Sequence, residues 1–527
     1  VFCIFNTYDY STTSGGKKML RATKTENGLV KGLVGTNARI TVYKGIPYAA
    51  PPVGENRWRA PQPSANWEGV RECYEFGPIC YQKTPGKDPN AFYSKEWHVD
   101  PDIPNSEDGL YLNIWTPAKT IDENLPVMVW IHGGGMQEGY AHEMEFDGEE
   151  FASRGVILVS VGYRLNLFGF LTHPEITAES PEAPSNFALL DQAAAIKWVK
   201  RNIRNFGGDP ENITIFGQSG GGDAVQFQLV SPQTKGDFQR AIIQSAGSRM
   251  LLYPPMPTFL PKGDSMETAY ELSTRLFEMC GVKTLAEARK LDPAILLEKY
   301  IEMKRPMVPV IDGKFITELP NDAFPANRLH EVSLMVTATS DEFMAGVTGA
   351  PKEWVEASFE NRAEEYWELV KEAAGSDNEE SLRKAADYST FNIANRVTAQ
   401  VLAQVGRTVY FSEFGPTIPG DDAGAFHSCD LWFQFNTLIR CWRPFDGHHF
   451  DLARKMCNYF ANFARTGDPN GKDKDGSDMP VWLPYDAENG RAMQFFDTVQ
   501  MEKEVDPRMA LMLDENRRRY AELMSKS

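Results

Sequence analysis

Several things are scarce in this sequence of 527 residues. No run approaches the ~18 consecutive apolar residues that a membrane-spanning helix needs, so a spanning segment is not expected. Positive charge is short: 54 Lys and Arg against 72 Asp and Glu give a net charge of −18. Such a chain lacks long-range attraction for polyphosphates, so nucleic acid and anionic membranes are not expected partners. Cysteine is sparse and odd in number, at Cys3, Cys73, Cys80, Cys280, Cys429, Cys441 and Cys457. That spacing makes neither a disulfide framework nor a C-x-x-C redox or zinc motif. Internal repeats and low-complexity tracts are absent. The opening stretch, VFCIFNTYDYSTTSGGKKM, lacks the basic-then-apolar order of a secretory signal. It reads as a disordered leader, residues 1–25, or as a segment ahead of a natural start at Met19. A cytoplasmic location is therefore expected, or a secreted one had a signal been removed.

What remains is an ordinary globular composition, 42% hydrophobic and 24% charged, with ample material for a large core. Short runs rich in Val and Ile recur: PVMVWIH (126–132), GVILVSVGY (155–163), NITIFGQ (212–218), RAIIQSA (240–246), SLMVTAT (333–339) and TVYFSEF (408–414). They are too short for helices and do not alternate strictly, which fits strands buried on both faces of a parallel sheet. Helical stretches lie between them, notably NFALLDQAAAIKWVKRNI (186–203). Alternation of this kind predicts an α/β fold. Charged helical regions near 265–305 and 345–400 read as insertions or lids, within one catalytic domain spanning 26–527.

Residues with chemical potential follow the strands directly: His132-Gly133-Gly134-Gly135, Ser219, Ser245 and Asp341-Glu342. In open parallel sheets ligands bind beyond the carboxyl ends of the strands, so these residues are expected along one rim. Gly217-Gln218-Ser219-Gly220-Gly221 fits G-x-S-x-G. A strand-to-helix reversal in so few residues strains the backbone at the serine and lifts its Oγ above the sheet. Alone the motif is weak and a glycine-rich loop would match it. The second glycine run, WIHGGGM (130–136), adds bare backbone that can approach a substrate and offer N–H donors to an oxyanion.

With these stretches the sequence resembles the type B carboxylesterase/cholinesterase family of α/β-hydrolases, from about residue 26 onward. The resemblance is carried also by YKGIPYAAPPVGENRWRAPQP (43–63), SEDGLYLNIWTP (106–117), VGYRLNLFGFL (161–171), TSDEF (339–343), GAFHSCDL (424–431) and TGDPN (466–470). It implies an α/β-hydrolase fold: a large, mostly parallel sheet with helices on both faces and helical lids. It implies a carboxylesterase without cofactor or metal, acting on a small-molecule ester. Ser219 would be the nucleophile, His427 the base and Glu342 the acid, with Asp341 as the adjacent competitor and Phe343 where the family usually has glycine. His98, His132, His142, His173, His330, His448 and His449 are rival histidines by residue type alone. The oxyanion donors would be the backbone N–H groups of Gly134, Gly135 and Gly220, the last usually alanine in the family and so expected to be a looser donor.

Secretory members of the family bridge a cysteine at the position of Cys80 to one where this chain has Gly109. The missing bridge suggests a reducing compartment and a bacterial-type enzyme, and leaves a Cys73–Cys80 bridge as an alternative. Phe168, Phe170, Trp432 and Phe433 are candidate pocket walls, with ordinary core as the competing reading. The loop 136–148 would rim the gorge, and His142 with its nearby glutamates hints at a polar substrate. Asn212-Ile213-Thr214 is a glycosylation sequon at a strand start, and 468–478 reads as a solvated turn rather than a calcium loop. Two other functions fit the same residues: a non-catalytic adhesion or scaffold relative, or acyl transfer or amide hydrolysis by the same triad. The oligomeric state, monomer or small homo-oligomer, is left open by the sequence.

Overall fold

A computed structural model describes residues 19–83, 88, 91–97, 100, 102–246, 265–342, 359–386, 390–488, 490–501 and 506–526. Its strands in chain order are β1 (Ala22–Thr25), β2 (Gly28–Val34), β3 (Thr41–Pro47), β4 (Val70–Cys73), β5 (Ile79–Cys80), β6 (Asn105–Ser106), β7 (Tyr111–Thr116), β8 (Leu125–Ile131), β9 (Ile157–Val161), β10 (Gly208–Gln218), β11 (Arg240–Gln244), β12 (Ser333–Thr339), β13 (Val409–Phe414), β14 (Met493–Phe495) and β15 (Val499–Met501). One large sheet runs β1-β2-β3-β7-β9-β8-β10-β11-β12-β13-β14-β15, with β4 beside β2. Pairing from β9 through β14 is parallel, and the two ends of the sheet are antiparallel.

The apolar runs became the central strands because both faces of the sheet are covered. In β8, Val127, Val129 and Ile131 enter one core while Met128 and Trp130 enter the other. β12 divides the same way, Leu334 and Val336 against Met335. Helix Phe187–Asn202, the expected one, covers the first face with Leu189, Ile196 and Trp198. Helix Gly447–Thr466 covers the second with Met456, Tyr459 and Phe460. A strand with such neighbours has no solvent face to keep polar, which explains the continuous hydrophobicity.

The sheet order also fixes where the site lies. After β8 the chain moves to β9 on one side; after β10 it moves to β11 on the other. Connections leaving β8 and β10 in opposite directions open a crevice at the carboxyl ends of those two adjacent strands. The HGGG run follows β8 and Ser219 follows β10.

Two expectations need correction. The leader was drawn through residue 25, but Ala22–Thr25 is a strand paired antiparallel with β2; residues 1–18 lie outside the described residues. A Cys73–Cys80 bridge is not formed, since both are free thiols. The inserted regions are helical where described, with Met266–Met279 and Pro293–Glu302 in the first and Ala363–Ala374, Glu379–Ala386 and Thr390–Gln404 in and just beyond the second.

Candidate active site

Ser219 stands between the end of β10 and helix Gly220–Val230 with φ 56° and ψ −125°. Non-glycine residues rarely hold such angles, and surrounding structure must enforce them. Here Ser219 N donates to Gln244 O on β11 at 2.9 Å, and Asp223 N donates to Ser219 O at 2.9 Å. The helix that follows is buried along its whole length. A Cβ on Gly221 would lie 2.1 Å from Ile131 O, and one on Gly217 would lie 2.5 Å from Gly221 O. The glycines are there because backbone occupies the space that side chains would need. Ser219 itself keeps partial exposure.

Glu342 follows β12, and its carboxylate meets His427 Nδ1 in a short contact. Its other oxygen accepts from Thr339 N at 3.0 Å. Both residues are buried, at 1% and 4% exposure, so the pair is shielded from competing water. A carboxylate only accepts, so Nδ1 carries the proton and Nε2 the lone pair. That nitrogen lies 3.1 Å from Gln218 Nε2, on the residue preceding the serine. The imidazole therefore faces the elbow.

Asp341 and Glu342 differ in direction. Asp341 turns to the backbone, accepting from Ala425 N at 2.9 Å and from Ser340 Oγ at 2.7 Å. Its own N–H donates to Ala425 O at 3.2 Å. Asp341 ties the histidine loop to the acid loop, while Glu342 touches the histidine. Phe343 lies outside the described residues.

The described rival histidines are otherwise engaged. His132 is buried, stacked on Tyr163 at 4.3 Å, and burial holds it down to about 4. His173 accepts Glu175 N at a helix start. His330 donates to Ser231 O at 2.9 Å. His448 and His449 surround Asp446 at the start of helix Gly447–Thr466, where His449 accepts the Asp446 N–H at 3.2 Å. His142 stacks on Phe76, and His98 is outside the described residues.

The glycine turn after β8 packs directly on the elbow. Gly134 and Gly135 have φ of +98° and +59°. Gln137 N and Glu138 N both donate to Gly134 O, at 2.9 and 3.1 Å, closing the turn. A Cβ on Gly220 would sit 2.9 Å from Gly135 N and 2.8 Å from Met136 N. The room an alanine methyl would need at 220 is thus filled by the glycine turn itself, and the three amides of Gly135, Met136 and Gly220 cluster there.

The four aromatic residues read as pocket walls are all buried, and Phe168 also lines a small crevice together with Tyr81 and Leu165. Phe168 and Phe170 join one core, and Trp432 and Phe433 the other, none more than 3% exposed. Trp432 donates Nε1 to the buried carboxylate of Glu96 at 3.2 Å, within an Arg443–Glu96 ion pair. Two neighbours of the triad were not singled out from sequence. One is Gln218, whose only signal was adjacency to the serine. The other is Asp430, fully buried one turn beyond His427, which burial and the Glu342 carboxylate push up to about 7.

A buried sheet, an elbow serine, an acid–histidine pair and a glycine turn at one switch point define an α/β-hydrolase. Comparison with known proteins narrows this. The carboxylesterase family is matched over residues 20–511, and the chain belongs to that family. It is 31% identical over 514 residues to an acetylcholinesterase of Bungarus fasciatus, covering 89% of this chain and 82% of that protein. It is 36% identical to the fumonisin B1 esterase of Sphingopyxis macrogoltabida over 321 residues; that match spans 60% of this chain and only 55% of the relative. Among solved structures, a PNB esterase superposes with a TM-score of 0.76 at 27% identity, over 94% of this chain and 99% of that one. The Geobacillus stearothermophilus carboxylesterase Est55 gives 0.74 at 30% identity, over 94% and 100%. The protein is a carboxylic ester hydrolase of this family. No helix among the described residues is long and apolar enough to cross a membrane.

Proposed function

We propose that ester hydrolysis in this chain runs through Ser219, His427 and Glu342 and a covalent acyl-enzyme. The observation that carries the reading is the buried Glu342–His427 contact with the imidazole turned toward the strained elbow. Ser219 Oγ attacks the ester carbonyl while His427 Nε2 takes its proton. Glu342 holds the ring in that tautomer and stabilises the imidazolium. The tetrahedral oxyanion is met by backbone N–H groups of Gly134, Gly135 and Gly220, with the clustered amides of Gly135 and Gly220 as the structural support. His427 then returns the proton to the leaving alcohol, and water repeats the sequence on the acyl-enzyme. Small acyl and aryl esters are the substrate class, hydroxycinnamoyl esters among them. The PNB esterase and fumonisin B1 esterase relatives support a small-molecule ester as the substrate.

The test is turnover of p-nitrophenyl butyrate by wild type, Ser219→Ala and Glu342→Gln, with folding checked by circular dichroism. Ser219→Ala should fall to the solution background. Glu342→Gln should retain the fold and lose about 10⁴-fold in kcat, by analogy with replacing the acid in other triads. Wild-type activity surviving in Ser219→Ala would overturn the assignment.

A further inference from the structure

A cavity of about 280 Å³ is lined in part by residues 142–144 and 146–147, which follow the glycine turn, and by none of the triad candidates. Its floor is aromatic, with Phe76, Trp115 and Phe146. Its charged lining is uneven. Arg440 is committed to Asp147 at 2.8 Å and to Met144 O. Glu149 accepts from the backbone N–H groups of Thr36 and Asn37. Glu143 accepts from Tyr140 N at 2.8 Å, and burial pushes its carboxyl up to about 7. Lys44 is different. It is half-buried on β3, its ammonium rests 4.5 Å from the Phe76 ring centre, and it has no ion pair among the described residues. His142 stacks on that same ring at 4.4 Å and 10°, with no hydrogen bond among the described residues for either ring nitrogen. Burial and the neighbouring Lys44 hold this imidazole down to about 4, so it is a neutral N–H donor in ordinary buffer.

An unpaired ammonium and an unpartnered imidazole beside one aromatic ring ask for an anion with a flat apolar body. A second cation is excluded by Lys44. A phosphate would face the carboxylates of Asp147 and Glu149 with two charges and leave the aromatic floor uncovered. The volume lies just below the roughly 300–1,000 Å³ typical of ligand sites, which fits a one-ring acid. From this we infer that the cavity binds small aromatic carboxylates, with the carboxylate on Lys44 and His142 and the ring on Trp115 and Phe146. That class includes the acids released from aryl-acyl esters, so the inference rests in part on the proposed substrate class. The site also touches the machinery. The segment bearing His142 and Glu143 continues directly from the glycine turn, where Glu138 N donates to Gly134 O at 3.1 Å.

The probe is 4-fluorobenzoate, followed by ¹⁹F NMR on the full chain whose serine has first been blocked with a phosphonylating ester. Blocking removes the active site from the measurement; a serine that fails to take the phosphonyl group, checked by mass spectrometry, would count against the triad and is read separately from binding at the cavity. Expected are saturable binding at one equivalent, a loss of at least tenfold in affinity in Lys44→Met, retention in Lys44→Arg, and no saturable binding of 4-fluorobenzamide. The amide control uses wild type and so stands even if Lys44→Met unfolds. Absence of saturable binding up to millimolar probe, equal binding of the amide, or unchanged affinity in a folded Lys44→Met would each overturn the inference.

Discussion

Substituting Gly134 by alanine should disable catalysis while leaving the fold in place. A Cβ at this position would lie 2.0 Å from Glu138 O and 2.7 Å from its carbonyl carbon. Ordinary contact begins at 3.4 Å, so the two must separate by about 1.4 Å. Neither partner is the far end of a flexible side chain. Glu138 is bound into the same turn through its own N–H to Gly134 O, and the next residue is held by Gln82. The turn must therefore open, and its φ of +98° adds strain for any residue with a side chain. Oxyanion donors work at about 2.7–3.1 Å; a shift above 1 Å takes a donor out of range. Loss of a single donor costs about 10²–10³ in kcat, or roughly 2.7–4 kcal/mol.

Gly134→Ala should accordingly lose at least about 10²-fold in kcat for p-nitrophenyl butyrate, with KM moving far less. Gly135→Ala is the internal comparison. Its φ is +59°, yet a Cβ there would meet nothing within 4 Å. That change carries only the left-handed backbone penalty of about 1–2 kcal/mol, so its loss should be the smaller. Circular dichroism and thermal melting of both proteins would separate misfolding from mispositioning. If folded Gly134→Ala kept kcat within threefold of wild type, the glycine turn would not be holding the oxyanion donors and the reasoning would fail.

Gly109→Cys should lower stability by about 1–3 kcal/mol in a denaturant titration, because a Cβ at 109 would lie 2.5 Å from Cys80 Sγ and 2.9 Å from the Cys80 backbone N and Cα, too close to be accommodated without backbone movement; unchanged stability would refute it. Asp430→Asn tests the buried acid. Its carboxyl is raised from 3.8 to about 7, so between those values the native state binds the extra proton and stability falls as pH rises. The variant should therefore melt above wild type at pH 8, and that advantage should vanish near pH 4; an equal difference at both would refute it. Asp191→Ala should lower stability by about 3–5 kcal/mol in a denaturant titration. It strands the guanidinium of Arg164, which donates to both Asp191 oxygens at 2.7 and 2.6 Å and is 3% exposed.

The central strands could be read from sequence because burial on both faces leaves a strong, local signature. β1 could not: Ala-Thr-Lys-Thr is short, polar and at a sheet edge, and its pairing with β2 depends on a turn at Glu26-Asn27 that composition barely marks. The serine and the glycine run were legible for a similar reason, since each is a local consequence of backbone crowding. Glu342 and His427 were placed only through the family resemblance. Eighty-five residues separate them, and neither neighbour on its own distinguishes a catalytic carboxylate from the stapling carboxylate of Asp341. The aromatic walls are not legible in the same way, because a large apolar side chain beside a motif serves the core as readily as a pocket. Only the sheet order, which decides the face each one takes, separates the two.

That sheet order also explains why backbone strain falls on Ser219, the proposed nucleophile. A backbone with φ 56° and ψ −125° does not persist by itself. It persists because three carbonyls enclose it: Ile131 O on β8 against Gly221, Gln244 O on β11 accepting the serine N–H, and Gly221 O in the first turn of the following helix against Gly217 on β10. Each contact involves a strand locked by parallel pairing on both sides. Loosening the sheet core, for instance by shortening Trp130 beneath the glycine turn, would therefore let the elbow relax before the protein unfolds. Activity should then decline at temperatures below the melting transition. The sheet's rigidity reaches the reaction through the backbone angle it imposes on one residue.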